Sequence, residues 1–83
     1  MHFEYNLIGV CSQLVSFELN NDIVSDIKFY GGCNGNLKAI ATLCDNMNVD
    51  EIIDKLKGNT CGYKKTSCAD QFALALEKAK DRV

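Results

Sequence analysis

The chain is short of most residue groupings that identify a small protein's chemistry. It has one histidine, His2, at a terminus, where chains tend to fray. That leaves no Ser/His/Asp or Cys/His grouping for hydrolysis, and no carboxylate pair stands out. The cysteines contain no Cys-x-x-Cys pair, the strongest sequence signal for a tetrahedral zinc site. No stretch approaches the ~20 consecutive apolar residues that span a bilayer. Met1 to Asn6 has neither the basic start nor the apolar core of a signal peptide, so the expected compartment is the cytoplasm. There is no surplus of basic residues: nine Lys and Arg against eleven Asp and Glu give a net charge of −2. The densest basic point is the pair Lys64-Lys65. Broad nucleic-acid binding, which needs a Lys/Arg surplus on one face, is thereby disfavoured, leaving room only for a specific nucleotide contact. Repeats, linkers and low-complexity tracts are also missing, which argues for one domain over residues 1–83.

What the chain does have is cysteine, five in 83 residues. In the cytoplasm structural disulfides are rare, so grouped cysteines read as metal ligands or redox thiols. A domain of this size has a marginal core, which a metal or an oligomeric partner such as a second copy would supplement.

Periodicity outlines the fold. Phe3, Tyr5 and Leu7 alternate with polar residues, as do Val15, Phe17 and Leu19, and then Ile23, Ile27 and Phe29 with Asp26 and Lys28 outward. Asn20-Asn21-Asp22 is a turn signal at hairpin distance between the last two runs. After Gly31-Gly32-Cys33-Asn34-Gly35 the period lengthens. Leu37, Ile40, Ala41 and Cys44 form a helical stripe, which makes Cys44 a small buried hydrophobe. Asn48 opens a second helix with Glu51 as capping-box partner, Val49, Ile52, Ile53 and Leu56 as its stripe, and Gly58 as its stop. Ser67 and Asp70 form a second capping box, opening a helix with Phe72, Leu76 and Ala79 inward. The order βββααα predicts an α+β domain: a three-stranded antiparallel meander with three helices packed on one face.

Against that outline the remaining cysteines fall at chain turns: Cys11 between two strands, Cys33 before a helix, Cys61 in a polar loop and Cys68 at a helix start. A helix N-terminus presents free N–H groups and partial positive charge, which favours thiolate over thiol. Metal ligation, redox activity and simple packing at element ends all fit this placement. The glycine-rich segment, with Gly32, Asn34, Gly35 and Asn36, stands where backbone amides can cradle a nucleotide phosphate. It matches neither Gly-x-Gly-x-x-Gly nor a P-loop. The simpler reading is a tight turn around Cys33, with Gly35 or Asn36 capping the helix. Asp70 could act as ligand or base, but its capping position already accounts for it.

Taken in order, Gly-Val-Cys11-Ser, Gly-Gly-Cys33-Asn-Gly-Asn-Leu-Lys-Ala-Ile, Cys61-Gly62 and Thr66-Ser67-Cys68-Ala69-Asp70-Gln71 resemble the TSCPD domain over nearly the whole chain. That family occurs as short stand-alone proteins and at the C-terminal end of adenosylcobalamin-dependent ribonucleotide reductases. Ala69 stands where the family has proline; proline there only pre-sets φ, so its loss slightly weakens helix initiation and leaves the site intact. Cys44 lies outside the family's motifs. A weaker resemblance is to U-type iron–sulfur cluster scaffolds, which carry cysteines at places corresponding to Cys11, Cys33 and Cys68 of a similar βββα arrangement. Gln13 and Ser67 replace that scaffold's aspartate and histidine, while Cys61 adds a thiolate. The resemblances imply an iron–sulfur-scaffold-like fold and a closed four-thiolate site, Cys11, Cys33, Cys61 and Cys68, for zinc or an iron–sulfur cluster. They also imply a function accessory to ribonucleotide reductase, as a metal-binding module or a supplier of electrons through its thiols. A reductase activity of its own is not expected, since 83 residues are too few to hold a radical-generating cofactor together with a nucleotide site.

Overall fold

The computed structural model describes residues 1–7, 9–10, 13–31, 34–58 and 67–82, the side chains of Asn34 and Asn36 excepted. Three strands come first: β1 (His2–Asn6), β2 (Leu14–Asn20) and β3 (Ile23–Tyr30). They are followed by helix α1 (Asn34–Cys44), a two-residue strand β4 (Met47–Asn48), and helices α2 (Val49–Leu56) and α3 (Cys68–Lys80). The sheet is antiparallel throughout, in the order β1-β2-β3-β4. The expected meander is therefore present, with one strand more than the sequence periodicity announced.

The β2–β3 hairpin closes on the pair Asn20 and Ile23. Its two loop residues, Asn21 and Asp22, have φ of 52° and 67°. This is the mirror-image turn whose twist suits a hairpin, and Asn and Asp tolerate its positive φ better than other non-glycine residues. Ser16 pairs with Lys28, but Glu18 pairs with Ser25, so Asp26 and Ile27 together face Phe17. Asp26, at φ 51°, is the extra residue of this β-bulge. The bulge reverses the parity of β3. Ile27 and Phe29 face the core as expected, but upstream of the bulge the inward residue is Val24, fully buried, whereas Ile23 is 38% exposed. The expectation for Ile23 thus fails by one inserted residue.

Strand β4 arises from the way α1 ends. Asn46 takes a left-handed conformation, φ 62°, as residues just beyond a helix often do. Its N–H donates to the Val24 carbonyl at 2.7 Å, which brings Met47 and Asn48 alongside Val24 and Ile23. A two-residue strand is too short to show a period, so alternation could not reveal it. Asn48 then caps α2 as expected, its side chain accepting from the Asp50 N–H at 2.8 Å. The side chain of Glu51, the expected capping-box partner, makes no hydrogen bond among the described residues. Asn48 instead stands opposite Ile23 in the sheet, and the next residue, Val49, donates its N–H to the Asp22 carbonyl. Helix α1 begins at Asn34, so Gly35 and Asn36 lie inside its first turn and neither is its cap.

One core joins the layers. Val15, Phe17 and Leu19 from β2 meet Val24 and Ile27 from β3, Cys44 from α1, Val49 and Ile52 from α2, and Phe72, Leu76 and Ala79 from α3. Phe72 sits edge-on to both Phe17 and Phe29, with ring centroids 5.9 and 5.4 Å apart. Cys44 is 7% exposed, and burial pushes its thiol above the ordinary range. That is the behaviour expected of a core cysteine.

Candidate functional site

The described neighbours of the turn cysteines meet at one end of the sheet. At the other end, the Val49 N–H donates to the Asp22 carbonyl at 2.8 Å, so α2 starts at the β2–β3 turn. Helices α2 and α3 then run antiparallel: Lys80 at the end of α3 pairs with Asp50 at the start of α2, and Lys57 meets Glu77 at 3.1 Å. The start of α3 is therefore remote from the hairpin. Phe72, one turn into α3, packs on Phe29, the penultimate residue of β3. This places Ser67 and Cys68 where β1 ends, β2 begins and β3 ends. At the same end the Leu7 N–H donates to the Gln13 carbonyl at 3.0 Å, and the Gln13 N–H to the Tyr30 carbonyl at 2.8 Å. Gly31, at φ +80°, lies against the Gln13 side chain.

Cys68 itself is half-buried, is not in a disulfide, and opens the 13-residue helix α3. It is four residues before Phe72, and so on the same helix face. The N-cap is Ser67, whose Oγ accepts from the Asp70 N–H at 3.1 Å, as the capping motif predicts. Asp70 has a second engagement that the motif did not reveal. Its Oδ1 accepts the Gly58 N–H at 2.6 Å, and the residue is only 8% exposed. A carboxylate so placed is worth about 1.5–3 kcal/mol as a charge-assisted hydrogen bond. It fastens the end of α2 to the start of α3, pinning the two ends of the segment that contains Cys61. The sequence signal was faint: a C-terminal glycine and an N-terminal aspartate flanking one polar loop.

Of the candidate ligands, Cys11, Cys33 and Cys61 lie outside the described residues, as does Gly32 of the candidate nucleotide loop. Asn34, Gly35 and Asn36 form the opening turn of α1. Gly35 is exposed, and a Cβ there would meet nothing within 4 Å, so packing alone does not require glycine. The strand before this turn is antiparallel to its neighbours, unlike the parallel βαβ setting of dinucleotide folds. Among the described residues no group of three or more His, Cys, Asp and Glu side chains is arranged to hold a metal ion. No described helix is long and apolar enough to cross a membrane.

Comparison with known proteins agrees with the cysteine motifs. The family model described as the TSCPD domain matches residues 3–80. No curated protein and no solved structure matches the chain.

Proposed function

The chain belongs to the TSCPD domain family, and from that premise we propose that it is a small metal-binding module held by Cys11, Cys33, Cys61 and Cys68. The observation that carries this reading is the common address of the described flanks. Leu7 and Gln13 bound the first cysteine segment, Gly31 and α1 the second, Gly58 and Ser67 the third, and Cys68 opens α3 beside them. The donor set fits the group. Four sulfurs suit tetrahedral zinc or an iron–sulfur cluster, both of which bind thiolates. Cys68, unpaired and at a helix N-terminus, is of the right kind for such a ligand.

A bound ion would supply cross-linking more than chemistry. A shared centre would lock the start of α3 to the ends of β1 and β3 and the start of β2. The role that follows is structural or partner-docking, accessory to a ribonucleotide reductase as the family's occurrence implies, with no catalysis of its own. Elemental analysis of purified protein should find about one zinc, or one iron cluster, per chain. X-ray absorption should then give metal–sulfur distances near ~2.3 Å. Cys68→Ser should weaken retention against a chelator, and Cys44→Ser should not. A metal-free protein whose unfolding is indifferent to chelator would overturn the proposal. In that event reversible Cys61–Cys68 disulfide formation, with two protons and two electrons released to an acceptor, would move the role to thiol redox supply for the reductase.

A further inference from the structure

We propose that the groove between β3 and α1 docks an extended peptide, apolar along its length and acidic at one end, as an added strand. The groove has a volume of about 350 Å³. Ile27, Phe29, Leu37 and Ala41 give it an apolar floor, and Lys28 and Lys38 line it with charge. Residues of both strand parities contribute, Ile27 and Phe29 from the core-facing set and Lys28 from the opposite one. Successive side chains of a strand point to opposite faces, so a cleft lined by both runs along the strand's edge and not over one face of the sheet.

Among the described residues that edge is open for a structural reason. Strand β4 pairs only with Ile23 and Val24. Beyond the bulge no strand accompanies Ile27, Lys28 and Phe29 on the α1 side among the described residues. Alternate residues of an edge strand aim their N–H and C=O groups outward. A strand edge flanked by a helix is the arrangement in which an extended peptide gains main-chain hydrogen bonds and drops alternate side chains into an apolar cleft.

Charge selects the occupant and its direction. Lys28 and Lys38 are exposed, and neither is ion-paired among the described residues. At the bulge end stand Asp26 and Asp45, both exposed, with the Asp45 carboxylate accepting the Asp26 N–H at 3.3 Å. A peptide carrying carboxylates at one end is attracted to the lysine end and repelled from the aspartate end, which fixes its polarity. The inference concerns the groove alone, so metal content and peptide binding are read independently.

The test uses the full chain, labelled with ¹⁵N, and two synthetic peptides. Both carry the acetylated stretch Val-Ser-Val-Ser-Val, one ending in Glu-Glu-amide and the other in Lys-Lys-amide. The acidic peptide should produce saturable shifts centred on the amides of Ile27–Phe29 and Leu37–Ala41. The basic peptide should bind about tenfold more weakly, the difference expected of two exposed ion pairs made or opposed. The double variant Lys28→Glu/Lys38→Glu, altered only at exposed positions, should invert the preference. Lys28→Gln/Lys38→Gln should abolish it without inverting. No saturable shift in the millimolar range, or equal binding of the two peptides, would overturn the proposal. So would concentration-dependent shifts at Ile27–Phe29 without peptide, which would assign the edge to a second copy of the chain.

Discussion

At the scale of single residues, the ionic contacts of the outer sheet face make a definite pH dependence. His2 lies across from Glu18, with Nδ1 2.6 Å from one Glu18 oxygen and Nε2 3.1 Å from Glu4. Hydrogen bonds to Glu4 and Glu18 hold the imidazole above its ordinary value of 6.5. A histidine raised on folding adds stability that is complete below the unfolded value and disappears as pH rises through the folded one. Thermal melts should therefore lose this increment as pH climbs above about 6.5. His2→Gln should flatten that part of the profile, and parallel curves for parent and variant would refute the coupling. The groups are exposed, so added salt should shrink the effect. Tyr5 offers a second case. Its Oη is buried and has no hydrogen-bond partner among the described residues, while its ring stacks on Phe3 and Phe17. Tyr5→Phe keeps the stacking and removes the orphaned hydroxyl, so urea unfolding should show no loss, or a gain of up to about 1 kcal/mol. A loss larger than that would show that the hydroxyl is satisfied by a group outside the described residues.

At the scale of elements, the helical hairpin α2–α3 depends on how each helix stops and starts. Gly58 follows the last residues of α2 at φ +83°, and a Cβ there would meet nothing within 4 Å. Gly58→Ala should thus cost only the left-handed backbone penalty, about 1–2 kcal/mol, visible as a lowered denaturation midpoint with unchanged slope. A cost near zero would mean that the turn relaxes to another conformation. The caps of both helices, Asn48 and Ser67, were legible because an N-cap is a local device: residue type and a two- or three-residue reach determine it. Glu51 and Ile23 were misread for a common reason. Each sits where the chain answers to a neighbour distant in sequence: Glu51 where the start of α2 is tied to the β2–β3 turn through Val49 and Asp22, and Ile23 where the Asp26 bulge shifts the pairing against Phe17.

At the scale of the whole molecule, Phe72 holds the layers together. It is fully buried, packs edge-on to rings from two strands, and lies one turn beyond Cys68. Phe72→Ala should cost about 3–5 kcal/mol through lost transfer energy and the cavity left behind. That is comparable to the whole stability of a domain this small, so calorimetry at 25 °C and below should find the variant largely unfolded. A cooperative native transition retained near the parent's midpoint would show that Phe72 is not the keystone of the core.

The sequence by itself determined the class of the fold, the helix stripes, the N-caps of α2 and α3, the burial of Cys44 and the family, because period, capping chemistry and motif order are local properties of the chain. The four turn cysteines could be recognised as a set, but not as a place. Only the tertiary structure decided that the end of β1, the starts of β2 and α3, and the end of β3 share one end of the sheet. That outcome rests on the antiparallel return of α3 along α2 and on the packing of Phe72 against Phe29. The same holds for the Gly58–Asp70 bond and the β3–α1 groove. Each depends on pairs of residues far apart in sequence, whose meeting is set by how the layers pack and not by any spacing along the chain.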